Sequence, residues 1–243
     1  MGVDPHKQAE IDSRTPDLLA YEATKPFVPD PGARHAIHFV EWATIMAMLE
    51  SISVARGSAV LDVGCGAGWT TILLAEAGFA VTGYDLVPAN IELARRRADQ
   101  WNRDVRFEVA DMEELPDGEP ADAALLFESL HHSTRPRKVL ASVARRLRPG
   151  GWVLVGEPTW LHRISPAARA MQHERGWVER GPTVRGLKRD LRAAGFGETR
   201  RFFQPTFPYE GRGRGFLWEL IRLVAANVWV APQTHVWLAA RRA

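Results

Sequence analysis

Cysteine is nearly missing from this chain of 243 residues: Cys65 stands alone, which excludes an internal disulfide and a multi-cysteine metal site. A reducing compartment, the cytoplasm, is the expected setting. Long apolar runs are missing too, and none reaches the roughly 20 residues of a membrane-spanning helix. The opening MGVDPHKQAEIDSRTP has no apolar core flanked by basic residues, so no secretory signal is expected. A strong charge of one sign is also absent, the net being +2. That figure conceals a gradient: residues 1–158 hold 16 Lys+Arg against 23 Asp+Glu, and residues 159–243 hold 15 against 6. A basic C-terminal section suits an acidic acceptor or an anionic surface, although arginine-rich solvated helix faces are the plainer account.

What is present is ordinary globular material, 46% hydrophobic and 25% charged, enough to bury one substantial core. One domain is expected over 1–243. Within it, 1–55 forms an N-terminal helical cover, 56–158 a ligand-binding core, and 159–243 a substrate-side region with the last two strands. Pro16, Pro26, Pro29 and Pro31 punctuate an opening without regular periodicity. A helix follows over 33–52, with Phe39, Trp42, Ile45, Met46 and Leu49 at helical spacing.

The chain then alternates. Strands are expected at 59–63, 80–84, 105–109, 121–127 and 152–156, and helices at 69–76, 88–101 and 135–147. Pro149-Gly150-Gly151 serves as the stop after the last of these helices. Such alternation argues for a parallel sheet covered on both faces. A helix over 183–194 and two β-rich pieces at 198–203 and 235–240 complete the chain, the latter two separated by a long insertion.

The most informative stretch is Asp62-Val63-Gly64-Cys65-Gly66-Ala67-Gly68, where a strand ends and a helix begins. Glycines there let the backbone turn sharply and let a ligand approach main-chain N–H groups at a helix N-terminus. The dinucleotide fingerprint needs a small residue five positions after Gly64, and this chain has Trp69. Asp62 would repel a pyrophosphate but suits a ligand carrying ammonium and sulfonium charges, as S-adenosylmethionine does. Asp85, after the second strand, is placed to accept from ribose hydroxyls. Asp111, after the third, is placed to accept from an adenine amino group, with Met112 packing on the ring and Leu86 covering its other face. Singly, Asp85 and Asp111 read as helix caps; together with the loop they read as a ligand site.

These motifs resemble those of the class I S-adenosylmethionine-dependent methyltransferases. VLDVGCGAGWTT, VTGYD, VADMEELP, ADAALLFESLHH and LRPGGWVLVGEP match that family's motifs in order between residues 60 and 158. The resemblance implies an α/β, three-layer Rossmann-like fold. Its seven-stranded, mostly parallel sheet runs in the order 3-2-1-4-5-7-6, with strand 7 antiparallel and an insertion between strands 6 and 7. It implies S-adenosylmethionine as cofactor and S-adenosylhomocysteine as product, with Asp62, Gly64, Cys65, Gly66, Gly68, Asp85, Leu86, Asp111, Met112 and Phe127 as binding residues. Glu128-Ser129-Leu130-His131-His132 is closest to ubiquinone-biosynthesis-type and natural-product sugar O-methyltransferases. That likeness implies a base formed by His131 or His132, His132 slightly favoured, with Glu157 as its acidic partner. Pro158 directly after the acid, and the segment beyond it, depart from the pattern.

A hydroxyl is a poor nucleophile, so a base that takes its proton should contribute roughly 10²–10⁴-fold. Histidine titrates in the required range. Cys65 reads as a small buried residue. No metal is expected: the Asp/Asp-Asn set of catechol enzymes is not apparent, and His35 and His38 lack a third ligand. The Pro-Pro-aromatic motif of base-amine enzymes is replaced by Glu128-Ser129-Leu130-His131, so a nucleic acid target is not expected.

The expectation is therefore an O-methyltransferase of a small molecule, a glycoside or other secondary metabolite. C-methylation of a quinol and cofactor binding without catalysis stay open as rivals, with a nicotinamide dehydrogenase a distant third. Tyr21, Phe27, Phe39, Trp42, Trp160, Trp177, Phe207, Tyr209, Phe216 and Trp218 are candidates for an acceptor cover, core packing being the plainer account of each. Gly211–Gly215 reads as flexible and basic, with Arg212 and Arg214 available to an anionic acceptor. The apolar run 216–230 reads as a packed helix, with a lid, a dimer contact or a weak membrane-surface contact as alternatives. Oligomeric state is not legible.

Overall fold

In a computed structural model of the chain, the described residues are 4–27, 37–160, 162–204 and 235–243. The strands are β1 (Ala59–Val63), β2 (Ala80–Asp85), β3 (Arg106–Val109), β4 (Ala121–Phe127), β5 (Leu147–Pro158), β6 (Phe196–Phe202) and β7 (His235–Arg242). They form one sheet in the order β3-β2-β1-β4-β5-β7-β6, as expected. β1 to β5 run parallel, and β7 runs antiparallel between β5 and β6. The helices are α1 (Pro5–Asp12), α2 (Pro16–Thr24), α3 (Ile37–Ser51), α4 (Trp69–Glu76), α5 (Pro88–Gln100), α6 (Pro136–Arg146), α7 (Pro166–Arg175) and α8 (Val184–Ala193).

Alternation along the strands builds two cores, because successive side chains leave opposite faces of the sheet. In β4, Ala124 and Leu126 join Val139, Leu140 and Val143 of α6 and Leu187 and Leu191 of α8. Ala123, Leu125 and Phe127 point the other way, to Ile45, Met48 and Leu49 of α3 and Trp69 and Leu74 of α4. Both faces of β4 are thus dry, which explains its unbroken apolar sequence. No helix among the described residues is long and apolar enough to cross a membrane.

In the described part of the opening segment, 4–27, two helices form, started by Pro5 and Pro16; Pro26 follows the second, and Pro29 and Pro31 lie outside the described residues. Pro5 follows Asp4, whose side chain accepts from His6 N, and Pro16 follows Thr15, whose hydroxyl accepts from Leu18 N. Proline at the first helical turn wastes no hydrogen bond and arrives with φ already set. Ser165 and Pro166 open α7 in the same way, in a stretch where no element was expected. α6 ends at Arg146, before the Pro-Gly-Gly, because Leu147 already pairs with Ala121 as the first residue of β5. The segment expected to be flexible and basic, 211–215, and the apolar run 216–230 lie outside the described residues.

β5 approaches Trp237 of β7 so closely that a Cβ on Gly156 would sit 2.3 Å from the indole ring. Trp237 is 1% exposed and stacks on Phe127 at 5.6 Å. Gly156→Ala should therefore lower the unfolding free energy by about 1–3 kcal/mol through overpacking. Urea denaturation of the two proteins checks this, and equal midpoints would refute it.

Candidate active site

The C-terminal ends of β1, β2 and β4 open on a cavity of about 400 Å³. Its floor is the glycine loop. Gly64 N and Cys65 N both donate to Tyr84 O, at 2.7 and 2.9 Å, which folds the loop back over β2. Gly64 has φ +79°, and a Cβ there would lie 2.3 Å from Ser129 Cβ. Gly68 has φ +77° as it enters α4, with Ala94 and Phe107 each 2.9 Å from where a Cβ would stand. Gly66 differs: a Cβ would meet nothing within 4 Å. Its open side belongs to the cavity, and its N–H donates to Asp85 Oδ2 at 2.9 Å. Arg97 of α5 steadies the loop from behind, donating to Ala67 O at 2.7 Å and to Lys25 O.

The expected acidic residues are brought together with one difference. Asp85 lines the cavity, its Oδ1 accepting from Val87 N at 2.9 Å and Asn90 Nδ2 at 3.1 Å. Burial pushes its carboxyl pKa upward, while the Val87 N–H, Arg14 and Asn90 act the other way. Asp111 and Met112 line the same cavity, as do Leu86, Cys65 and Phe127. Asp111 Oδ1 accepts from Glu113 N, and its Oδ2 takes Lys7 Nζ at 2.6 Å. Lys7 also reaches Glu113 at 2.8 Å, so α1 is fastened to this rim by one ammonium.

Asp62 and Gly68 do not line the cavity. Asp62 is 2% exposed, and its Oδ2 accepts from the hydroxyls of Thr70 and Thr71, both at 2.6 Å. The carboxylate is turned into the first turn of α4 instead of toward the opening. Burial raises its pKa to about 6 despite the two hydroxyl donors. Burial also pushes the Cys65 thiol well up, which leaves it neutral and unreactive.

At the other end, Glu157 has no exposed surface. Its Oε1 accepts from Ser129 N at 3.0 Å and Leu130 N at 2.8 Å, and its Oε2 accepts from His131 N at 3.2 Å. The same Oε2 lies 2.7 Å from His131 Nδ1. A 3₁₀ turn, Leu130–His132, is thereby fixed, and His131 Nε2 is left to face Glu179 Oε2 at 3.6 Å. His132 Nδ1 lies 2.9 Å from Glu10 Oε1 and 3.9 Å from Glu179 Oε1. Burial opposes a charge on His132, but Glu10, then Glu179 and Glu157, outweigh it and raise its pKa to about 9. Glu128 just before the turn has φ +51°, a costly conformation for a side chain of this size, and its carboxylate pairs with His235.

Four residues of the cavity were missed by sequence reasoning: Lys7, Glu10, His162 and Glu179. Lys7 and Glu10 belong to α1, whose Asp-Pro start was the available signal. Glu179 gives none, since it stands in an irregular stretch held to the site by Arg180 N donating to His131 O at 3.1 Å. His162 Nε2 contacts Glu179 Oε2 at 2.8 Å. Among the aromatic candidates, Tyr21 and Trp177 line the cavity, whereas Trp42 packs on the core and Phe27, Phe39 and Trp160 are exposed on the surface. Phe207, Tyr209, Phe216, Trp218, Arg212 and Arg214 lie outside the described residues.

Comparison with known proteins agrees with this geometry. Residues 60–151 match the family model described as "Methyltransferase domain". A ubiquinone biosynthesis O-methyltransferase of Idiomarina loihiensis is 34% identical over 132 residues, 51% of this chain and 53% of that protein. The chain thus spans about half the length of the curated relatives it matches. An S-adenosylmethionine-dependent methyltransferase from Mesorhizobium loti superposes with a TM-score of 0.62 at 21% identity, covering 84% of this chain and 98% of the other. The [4+2]-cyclase SpnF superposes equally well, with a TM-score of 0.62 at 21% identity over 92% and 91%. These two likenesses speak for the fold alone.

The match over residues 60–151, together with the sheet order and the glycine loop, shows similarity to S-adenosylmethionine-dependent methyltransferases and the Rossmann-like fold they share. Over about half of its length the chain is similar, at moderate identity, to ubiquinone biosynthesis O-methyltransferases.

Asp62 gives a test with a defined sign. Its folded pKa of about 6 lies above the ordinary 3.8, so the folded state holds the proton more tightly. Its contribution to stability is greatest below about pH 4 and is lost as pH rises to about 6. Asp62→Asn should remove that decline and raise the unfolding free energy at pH 7 by about 1–3 kcal/mol. A pH–stability curve unchanged by the substitution would refute the assignment.

Proposed function

We propose that the chain transfers the methyl group of S-adenosylmethionine to a hydroxyl of a small molecule, a glycoside or other secondary metabolite, in the cytoplasm. The residues present fit the cofactor. Gly66 leaves its side of the cavity open, Asp85 and Asp111 offer carboxylates along one wall, and Leu86 and Met112 supply apolar surfaces between them. Asp85 already accepts three hydrogen bonds, and a carboxylate's roughly four acceptor sites leave room for a ribose hydroxyl. When bound, the cofactor supplies a methyl group activated by its sulfonium.

The observation that carries the reading is the buried Glu157–His131 pair. Glu157 accepts the Nδ1 proton at 2.7 Å and so fixes the tautomer with a free lone pair on Nε2. His131 then takes the acceptor's hydroxyl proton at Nε2 as the new carbon–oxygen bond forms. Glu157 lacks room to move, being held by three backbone N–H groups, so the imidazole arrives already aligned. This favours His131 over His132, which lies against the Glu10 carboxylate. The aromatic wall of Trp177, edge-on to His132 at 5.6 Å, gives the acceptor a flat apolar surface beside the polar cluster.

Labelled methyl transfer, screened over glycosides, phenols and quinols with mass spectrometry of the product, tests the reaction. His131→Ala should lower kcat by roughly 10²–10⁴-fold, with cofactor affinity in calorimetry unchanged. A ring-methylated quinol in place of an O-methyl product would overturn the hydroxyl assignment. Equal turnover of the variant and the parent protein would overturn the role of His131.

A further inference from the structure

We propose that the histidine-rich end of the cavity is a binding site for one divalent transition-metal ion of the zinc type, held by His131 Nε2, His132 Nδ1 and the Glu179 carboxylate. This rests on the reading of that end as the acceptor side. One ligand atom from each of the three residues lies within 4.8 Å of the other two. The closest approaches are 3.6 Å from His131 Nε2 to Glu179 Oε2 and 3.9 Å from His132 Nδ1 to Glu179 Oε1. Ligands about 2.0–2.1 Å from a tetrahedral ion stand roughly 3.4 Å apart. The gap between these groups is therefore too wide for a hydrogen bond and close to what an ion would span.

Two further observations point the same way. His131 gives its Nδ1 side to the fully buried Glu157 at 2.7 Å, the carboxylate–histidine arrangement that fixes metal-ligating imidazoles and makes the other nitrogen more basic. His162 Nε2 lies 2.8 Å from the same Glu179 Oε2 that faces His131, and so helps to orient that carboxylate.

The donor set selects the class of ion. Two imidazoles and one carboxylate suit zinc and its transition-metal neighbours, while magnesium and calcium prefer all-oxygen shells. Three protein ligands leave a fourth position open toward the cavity, where an acceptor hydroxyl would be polarised and made more acidic. An ion held there would occupy the His131 Nε2 lone pair that otherwise takes the proton, and His132 would bind as the neutral imidazole with its proton released to solvent. The ion would supply a Lewis acid to the acceptor hydroxyl, and the adjacent Glu10 carboxylate would be the group placed to receive the O–H proton as oxygen bonds to the methyl carbon and the carbon–sulfur bond breaks toward sulfur.

The test is metal binding by the full chain, independent of turnover. Protein stripped with a chelator is titrated with Zn²⁺ alone against a chromophoric competitor, and with Co²⁺ followed by its visible absorption. One saturable equivalent is expected, with the intense bands of low-coordinate Co²⁺. Glu179→Gln and His132→Ala should each lose more than the roughly 10–100-fold in affinity expected for Glu157→Gln, which removes only the supporting carboxylate. S-adenosylmethionine affinity on the same samples reports that the variants are folded. Should a variant fail to fold, the Co²⁺ spectrum of the parent protein decides alone. No saturable uptake by the parent protein, or uptake indifferent to Glu179→Gln and His132→Ala, would overturn the site while leaving the methyltransferase reading intact. Uptake as expected with no methyl transfer to any hydroxyl acceptor would sustain the site and sink that reading.

Discussion

One carboxylate organises the histidine-rich end of the cavity. Glu157 leaves β5 with no exposed surface and meets three backbone N–H groups and one imidazole. A buried charge is expensive unless its oxygens are fully engaged, and here four donors engage them. The arrangement also explains how Glu128 endures a left-handed backbone: its N–H is tied to Gly156 O at 2.9 Å and the turn after it is clamped by Glu157. Strain at that corner is held by bonds on either side of it. The direction in which His131 points is therefore decided in β5, not in the loop that carries it.

The second constraint is the lack of space around the glycine loop. Gly64 lies against Ser129, and Ser129 Oγ in turn donates to Val63 O at 2.9 Å. The glycine loop and the turn that carries the histidines thus press on each other directly. The two ends of the cavity share one packed contact across the ends of β1 and β4. Trp237 stacks on Phe127 at 5.6 Å, and Trp69 meets Phe127 edge-on at 5.9 Å. Aromatic packing of this kind resists sideways displacement of the strand ends.

Much of this was legible in the residues. Strand alternation, the glycine loop and the acids after β2 and β3 identify the sheet and the cavity because each depends on local spacing. His131, His132 and Glu157 were legible as a group through their places after β4 and β5, but which imidazole the acid holds is a matter of packing and was not. Asp62 was legible as a carboxylate near the loop and not as one turned away from the opening, since Thr70 and Thr71 offer it closer partners. Glu10 and Glu179 stand more than 100 residues apart in sequence and meet His132 only through the docking of α1 and the irregular stretch after α7. No periodicity encodes such a meeting. Pro16 carried the opposite lesson: it reads as an interruption and is the place where a helix begins, as Pro5 and Pro166 also are.

Lys7 and Glu10 lie three positions apart on α1 and so share one face of that helix. Lys7 grips Asp111 and Glu113 at one end of the cavity, while Glu10 abuts His132 at the other. A single two-turn helix consequently serves as common coping stone for both compartments. Tilting it outward would unlatch the two together, so neither compartment has a doorway of its own along that side.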